Sequence, residues 1–338
     1  MSKKDGVLLV NIGTPDSPST SDVRKYLREF LMDPLVLNIP FIFRWILVHL
    51  IIAPLRGPKS AHAYQKIWTR NGSPLMVYSK QLADKVQYRL SQSIVLHAMR
   101  YQSPSIYSQI SSLASSGVTN ITMLPMFPQY SLAATESAVL EAKNVVAKQF
   151  PQMKLKIIGD FFNHPGFIEA QASIIRKKIE DFKPDHILMS YHGLPENHVQ
   201  ATDRSGQHCL KAKDCCAAIT ETNRLCYRAQ SFDTSRKLAS SLGLTSNQYS
   251  VSFQSRLGKI PWIQPFTDFI IKDLKNSGVK RLLVVCPSFV ADCLETLEEI
   301  GIRCREDWLA LGGEAFEFAP CVNADDAFAD AVVSLVKN

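Results

Sequence analysis

Short apolar runs of strand length alternate along the chain with longer amphipathic segments. The clearest apolar runs are Val7–Val10, Ile121–Met126, Ile187–Ser190 and Leu282–Val285. An uninterrupted apolar run is typical of a parallel strand buried on both faces, and the amphipathic segments between the runs supply crossover helices. The pattern therefore predicts an α/β fold built on parallel sheets.

The two halves of the chain repeat these signals in the same order. GVLLVNIGTP at 6–15 resembles HILMSYHGLP at 186–195, and SGVTNITMLPMFP at 116–128 resembles SGVKRLLVVCPSF at 277–289. The repeat predicts two similar Rossmann-like, doubly wound domains, with ligands at the carboxyl ends of the strands and in an interdomain cleft.

A chain of 338 residues is long enough for two such domains. We expect an N-terminal domain over residues 1–160, joined by a C-terminal helix at 325–338, and a C-terminal domain over residues 161–324. Hydrophobic residues make up 46% of the chain and charged residues 20%, which excludes a disordered or fibrous protein.

Two classes of ligand find no support in the sequence. No strand is followed by Gly-x-Gly-x-x-Gly, and Gly-x-x-x-x-Gly-Lys-Ser/Thr does not occur, so we expect no nucleotide. The net charge is +7, but its Lys and Arg residues form no long run, so nucleic-acid binding is not favoured. A mildly basic surface near a membrane fits the charge equally well.

Residues 35–55, here called the apolar segment, depart from this alternation. Large side chains dominate it, at Phe41, Phe43, Trp45, Ile46, Leu47, Leu50, Ile51 and Ile52. Pro40, Arg44, His49 and Pro54 interrupt it, and a charge inside lipid is costly, so the sequence argues against a transmembrane span. Two interpretations stay open: a buried core helix, or an exposed apolar lip that touches a membrane or an apolar ligand.

The N-terminus and the cysteines indicate the cellular compartment in which we expect the protein. The apolar stretch near the N-terminus is too short for a signal peptide, so we expect a cytoplasmic protein. In that compartment, eight cysteines indicate thiols or metal ligands rather than disulfides. Half of them, at Cys209, Cys215, Cys216 and Cys226, fall in a polar segment at residues 205–230.

Two groups of residues offer metal or proton chemistry. His192 follows an apolar strand and stands before Gly193, at the edge of a sheet where α/β active sites lie. If the segment after the last apolar strand is helical, Asp292, Glu295 and Glu299 share one stripe and could take protons or a divalent cation. Taken alone, a structural histidine and a solvated acidic helix explain these residues as well.

Other residues could line a binding cleft. Trp262 lies in a proline-rich loop and could stack on a flat ring or belong to the core. Arg100 and Tyr101 follow a strand, and Ser73 follows Tyr64, so these side chains could bind ligand carboxylates or lie on the surface.

Together these motifs resemble the ferrochelatase family over nearly the whole chain. The matching segments, in the order of the family, are NIGTP at 11–15, GSPL at 72–75, MRY at 99–101, SYHGLP at 190–195, FQSR at 253–256, PW at 261–262 and DCLETLEE at 292–299. The resemblance implies a lyase that inserts Fe²⁺ into protoporphyrin IX, releasing two protons, in the last step of haem biosynthesis.

The resemblance also assigns roles. It implies that His192 and Glu295 face one another across the porphyrin as catalytic and Fe²⁺-handling groups, with Asp292 and Glu299 forming an acidic path behind Glu295. The implied substrate contacts are Tyr64, Ser73, Arg100 and Tyr101, and the implied walls of the porphyrin site are Tyr130 and Trp262. Many members have histidine at the position of Cys293, and several have glycine at that of Ser288.

Some bacterial members carry an iron–sulfur cluster on an internal cysteine-rich segment. The resemblance therefore implies a [2Fe–2S] cluster on Cys209, Cys215, Cys216 and Cys226, with free thiols as the alternative. It also implies peripheral contact with a membrane surface through the apolar segment. A chelatase for coproporphyrin and a porphyrin or metal carrier remain as competing functions, and a monomer or a homodimer stays open.

Overall fold

The computed structural model describes residues 4–256, 258 and 260–337. Residues 1–3 and 338, at the ends of the predicted domains, lie outside the described residues, as do Leu257 and Lys259 of the loop that carries Trp262.

The chain divides into two compact units. The first contains the residues up to Phe127, Leu132–Asp160 and the residues from Val332 onward. The second contains Pro128–Ser131 and Phe161–Ala331.

Each unit contains a four-stranded parallel sheet. The first sheet has the order β2-β1-β3-β4, with strands β1 (Lys4–Gly13), β2 (Ser93–Tyr101), β3 (Val118–Pro125) and β4 (Lys154–Ile157). The second has the order β6-β5-β7-β8, with strands β5 (His186–His192), β6 (Tyr249–Gln254), β7 (Arg281–Val285) and β8 (Ala315–Phe318). The orders are equivalent, which confirms the predicted α/β fold with two similar doubly wound sheets.

Helices connect and flank these strands. The α-helices are α1 (Thr20–Leu31), α2 (Phe41–Ile46), α3 (Ala53–Ile67), α4 (Pro74–Arg89), α5 (Ile106–Ser115), α6 (Ser137–Gln149), α7 (Pro165–Phe182), α8 (Glu196–Gln200), α9 (Tyr227–Ser241), α10 (Thr267–Asn276), α11 (Arg305–Ala310) and α12 (Asp326–Lys337). Within the described residues, three segments are π-helical, at Leu47–Ile52, Leu132–Glu136 and Glu295–Cys304. Local sequence explains several helix starts: the Ser19 hydroxyl accepts from the Asp22 amide at α1, and proline opens α4 and α7.

The apolar runs of the sequence form the cores. In the first unit, Leu8, Val10 and Met123 from the sheet pack with Ile110 and Leu113 of α5. In the second unit, the sheet residues Leu188, Leu282 and Val284 pack with Ile300 and Trp308. Because both faces of each sheet are covered, these strands carry no alternation of polar side chains.

Glycine occupies the end of β1, at Gly13, and the position after β5, at Gly193, for the same physical reason. A Cβ atom on Gly13 would lie 2.1 Å from the Tyr101 carbonyl oxygen, and one on Gly193 would lie 2.6 Å from the Gln254 carbonyl oxygen. Any side chain at these positions would collide with the end of the neighbouring strand, β2 or β6. The glycine therefore lets the loop after β1 or β5 turn closely against that strand.

The apolar segment is helical and exposed. A helix of 27 residues, Phe41–Ile67, passes from α2 through a π-helical turn into α3, and Pro54 fits into the first turn of α3. By length and composition alone this helix could cross a membrane, and only 22% of its most apolar window is buried.

The exposed large side chains in this segment are Phe41, Ile42, Phe43, Trp45, Ile46, Leu50, Ile51 and Leu55. The buried-core interpretation is therefore wrong for these residues, and the exposed alternative agrees with the structure.

Candidate active site

His192 is the last residue of β5, at the point where the order of the second sheet reverses between β5 and β7. Its backbone amide donates to the Ser288 hydroxyl at 3.2 Å, and the Gly193 amide donates to the Gln254 carbonyl at 2.7 Å. Contacts from two other elements thus fix the backbone on either side of the imidazole, at the edge where α/β enzymes bind their ligands.

The histidine ring has a defined tautomer. Its Nδ1 atom lies 2.6 Å from the Gly193 carbonyl oxygen. A carbonyl only accepts hydrogen bonds, so Nδ1 carries the proton and Nε2 of the neutral ring keeps a lone pair. The Phe289 ring meets the imidazole edge-on at 6.3 Å between centroids. His192 can therefore act through Nε2 as a base or as a metal ligand.

The acidic segment differs from the predicted single α-helical stripe. The π-helix begins at Glu295, so Asp292 precedes it and lies in a loop. Asn323 holds that loop, because its amide group donates to the Asp292 carboxylate at 2.8 Å while its Oδ1 accepts from the Asp292 backbone amide at 2.8 Å. The prediction that Asp292 shares a helical stripe with Glu295 and Glu299 is wrong, since these contacts hold Asp292 outside the helix.

Glu299 carries the clearest electrostatic signature of the site. Burial raises the pKa of its carboxyl, and the charge of Glu295 adds to that effect. A hydrogen bond from Ser255 at 2.5 Å and the charges of His192 and Arg303 act in the opposite direction on the pKa. His192, Glu295 and Glu299 therefore share one electrostatic environment within the second unit, as acid–base and metal-handling groups do.

Gln254 connects the histidine loop to the acidic helix. In the pairing of β5 with β6 it lies opposite His192. Its buried side chain donates to the Glu295 carbonyl at 2.8 Å and accepts from the Ser190 hydroxyl at 2.8 Å. Gln254 and Ser255 lie in the FQSR motif, but the sequence assigns neither of them a role. Their position at the end of a strand that neighbours β5 was the one feature that pointed to the site.

Two positions where this chain departs from the family pattern lie at the same site. The Ser288 hydroxyl accepts a hydrogen bond from the His192 amide and forms another with the Tyr227 hydroxyl. Cys293 is buried, and burial, followed by the charge of Glu295 and a hydrogen bond with it, raises the pKa of the Cys293 thiol. A thiol held protonated does not replace a histidine as a base.

The predicted wall residues belong to the second unit. Trp262 pairs through its backbone with Pro195, and Ile263 donates to the Leu194 carbonyl at 3.0 Å, so the tryptophan loop is attached to the histidine loop. The amide of Tyr130 donates to the Gln230 side chain at 2.6 Å.

The predicted carboxylate contacts belong to the first unit. Arg100 and Tyr101 both donate to the Asp33 carboxylate, at 2.8 and 2.9 Å. Tyr101 is only 1% exposed, and burial raises the pKa of its hydroxyl. Asp33 had no signal of its own in the sequence.

Ser73 and Tyr64 are also buried in the first unit. The Ser73 hydroxyl accepts a hydrogen bond from Thr14 at 2.8 Å, which joins two of the matching motifs. The ring of Tyr64 meets that of Trp68 edge-on at 6.1 Å.

The four clustered cysteines are buried and in contact with one another. The sulfur atoms of Cys215 and Cys216 are 3.7 Å apart. The Cys226 thiol forms hydrogen bonds with both Cys209 and Cys216, and all four cysteines are free of disulfide bonds. Within residues 4–256, 258 and 260–337, however, no group of three or more His, Cys, Asp or Glu side chains is arranged around a point that could hold a metal ion.

Solved structures with a similar fold include two of SirB. A structure of SirB from Bacillus subtilis with Fe³⁺ matches at a TM-score of 0.55 and 11% identity, covering 99% of this chain and 94% of that one. The sirohydrochlorin chelatase SirB from Bacillus subtilis subspecies spizizenii, in complex with cobalt, matches at 0.55 and 9% identity with the same coverage. At these identities the likeness shows the fold.

Sequence relatives are much closer. Ferrochelatase of Coxiella burnetii is 45% identical over 335 residues, covering 99% of this chain and 93% of that protein. Ferrochelatase of Legionella pneumophila is 47% identical over 332 residues, covering 98% of both. The ferrochelatase family model matches residues 4–338. The chain therefore belongs to the ferrochelatase family, the lyase-class metal chelatases that insert iron into a porphyrin in haem synthesis.

Proposed function

We propose that this ferrochelatase inserts Fe²⁺ into protoporphyrin IX, and that His192, Glu295 and Glu299 carry the reaction. The observation behind this assignment is that His192, at the carboxyl end of β5, and Glu295 both act electrostatically on the Glu299 carboxyl of the π-helix. Their roles follow from what the reaction demands of the protein.

Metal insertion requires two pyrrole protons to leave while hydrated Fe²⁺ loses its water ligands. The Nε2 lone pair of His192 is available to accept a pyrrole proton, because Nδ1 donates to the Gly193 carbonyl. A carboxylate at Glu295 is a ligand suited to Fe²⁺ and can replace departing water. We assign deprotonation to His192 and metal delivery to Glu295.

Glu299 suits the transfer of protons away from this pair. Burial raises the pKa of its carboxyl, which makes uptake of a proton easier than at an exposed carboxylate. Asp292, in contrast, is bound by Asn323, by the Cys321 amide and by the Thr296 hydroxyl. We keep Glu299 in the proton path and propose that Asp292 acts there by holding the loop before Glu295.

Recognition of the porphyrin falls to aromatic and cationic side chains. We propose Trp262 and Tyr130 as walls against the flat ring, because aromatic faces stack on planar ligands. Arg100 is proposed to bind a propionate, with Tyr101, Ser73 and Tyr64 supporting that part of the site. A site that binds the ring bent would favour the transition-state shape for metal insertion.

The apolar segment is proposed to contact the membrane surface peripherally. Its exposed side chains would otherwise face water, and protoporphyrin is itself an apolar substrate. Arg44, the one Lys or Arg between Phe41 and Leu55, is turned inward and donates to the Leu37 and Ile39 carbonyls at 3.1 Å. Its charge therefore does not oppose burial of the segment in lipid.

We also propose a [2Fe–2S] cluster on the four clustered cysteines. Such a cluster takes two thiolates on each iron, so its ligands need not converge on one point as they must around a single ion. Burial and mutual contact of Cys209, Cys215, Cys216 and Cys226 fit that requirement. The cluster lies outside the chemical steps assigned above.

Anaerobic assays with protoporphyrin IX and Fe²⁺ test the main proposal. We expect haem formation, and a loss of about 10²–10⁴-fold in kcat for His192→Ala because the general base is removed. His62→Ala, at an exposed histidine of α3, is the matched control and should retain activity. Binding of porphyrin without turnover would indicate a carrier, and a higher kcat/KM on coproporphyrin would reassign the substrate.

The pH dependence of kcat tests the role of Glu299. As the pH falls, Glu299 becomes protonated and can no longer accept a proton from the site. The value of kcat therefore falls at low pH, which gives the pH profile an acidic limb. Ser255 donates to the charged carboxylate and lowers its pKa, so Ser255→Ala should raise that pKa and move the limb to higher pH. The limb should stay in place in Ser116→Ala, at an exposed serine of the first unit. An unmoved limb in Ser255→Ala contradicts the assignment.

Co-sedimentation with phosphatidylcholine–phosphatidylglycerol vesicles tests the membrane contact. Replacing Phe43 and Leu50 by serine removes two large exposed apolar groups and should weaken partitioning by about tenfold or more. Tyr88→Ser is the control, since Tyr88 is an exposed aromatic residue on α4. Equal partitioning of all variants would show that the segment does not bind lipid.

Iron and inorganic sulfide analysis of anaerobically purified protein tests the cluster. We expect visible absorption from the cluster, lost in Cys216→Ser because one thiolate ligand is removed. Cys304→Ala, at a buried cysteine outside the cluster, should keep both iron and absorption. Colourless, iron-free wild-type protein contradicts the proposal.

A further inference from the structure

Asp33 is a buried carboxylate in the loop that leads from α1 to the apolar segment. Its side chain is only 5% exposed. One oxygen, Oδ2, accepts hydrogen bonds from Arg100 Nη2 at 2.8 Å, from the Tyr101 hydroxyl at 2.9 Å and from the Ser137 hydroxyl at 2.5 Å. Three donors from two elements thus converge on one atom, which compensates the cost of burying the charge.

The other side of Asp33 is fixed as firmly. Its Oδ1 accepts from the Leu35 amide at 2.8 Å, and its carbonyl accepts from the Val36 and Leu37 amides at 3.1 and 3.0 Å. The carboxylate therefore has a single orientation, set by its own loop.

The Nε and Nη2 atoms of the Arg100 guanidinium are bound by neighbouring residues, whereas Nη1 is available to a ligand. Its Nε donates to the Ser137 hydroxyl at 2.7 Å, its Nη2 donates to Asp33, and its guanidinium carbon lies 4.6 Å from the centre of the Tyr101 ring. Among the described residues none accepts a hydrogen bond from Nη1, and 18% of the side chain is exposed. Two N–H donors, in a fixed direction, remain for a ligand.

We propose that Asp33 is a positioning residue that aims Nη1 of Arg100 at a carboxylate of the porphyrin. The proposal rests on the proposed role of Arg100 as a propionate contact. Because Asp33 neutralises the guanidinium charge, recognition depends on the direction of two N–H bonds more than on net charge.

Asparagine cannot replace the aspartate in this network. Oδ2 faces donors from three side chains and Oδ1 faces the donating amide of Leu35. Whichever way the amide of an asparagine is turned, its NH₂ group meets a donor. Asp33→Asn keeps the size of the side chain and releases Arg100.

Steady-state kinetics in a double-mutant cycle test the inference, with porphyrin varied at saturating Fe²⁺. Asp33→Asn should raise the KM for porphyrin by about tenfold with little change in kcat, as expected for a lost charge-assisted contact. Arg100→Lys should raise the KM to a similar extent. In the Arg100→Lys background, Asp33→Asn should add nothing, because its effect passes through the guanidinium.

The outcomes separate the two proposals. If Arg100→Lys leaves the KM unchanged, both the propionate contact and this inference are wrong. If Arg100→Lys raises the KM and Asp33→Asn does not, only the inference about Asp33 is wrong. The same holds if the increases in KM from the two single variants multiply in the double variant.

Ser137→Ala provides a milder variant should Asp33→Asn fold poorly, as judged by circular dichroism and thermal unfolding. It removes one donor to Asp33 and one acceptor of Arg100. We expect a KM about threefold higher, a smaller effect than that of Asp33→Asn because the bond between Arg100 and Asp33 remains, and no effect in the Arg100→Lys background. Ser112→Ala, at an exposed serine of α5, is the control. An unchanged KM in Ser137→Ala overturns the inference.

Discussion

The parallel pairing of β5 with β6 is the constraint on which the candidate active site depends. It places Gln254 opposite His192, so one buried amide reaches both the strand that carries the histidine and the first residue of the acidic π-helix. The same pairing requires glycine at position 193, since a side chain there would strike the Gln254 carbonyl. The end of β6 therefore links the strand that carries His192 to the helix that carries Glu295 and Glu299.

Two buried carboxylates, Asp33 and Asp292, and the partly exposed Glu299 differ in how many partners they have. Asp33 and Asp292 each accept several hydrogen bonds from side chains and amides, which ties each of them into a loop. Glu299 is bound at close range by Ser255, with the Arg303 guanidinium at 3.8 Å. With so little compensation, burial dominates and raises the pKa of Glu299. Of the three, Glu299 has the fewest hydrogen-bond partners, which supports its proposed role in proton transfer.

Arg100 and the apolar segment are connected in the first unit by hydrogen bonds. Asp33 holds Arg100 with one oxygen and the Leu35 amide with the other, and Arg44 donates to the Leu37 and Ile39 carbonyls at the end of the same loop. The loop that begins the apolar segment therefore also orients an arginine. Asp33 and Arg44 are buried, and the large exposed side chains between Phe41 and Leu55 are Phe, Ile, Leu and Trp.

The sequence by itself determined the α/β class, the repeated sheet and the family, because apolar runs, glycine spacing and motif order are local properties that survive without coordinates. It also selected His192 and Glu295 as candidate site residues. It could not decide whether the apolar segment was core or surface, since composition is the same in both cases. Nor could it show that Asp292 leaves the helix, because Asn323, which holds it, lies far along the chain. Gln254, Ser255 and Asp33 became visible only in the tertiary structure, since each acts through partners distant in sequence.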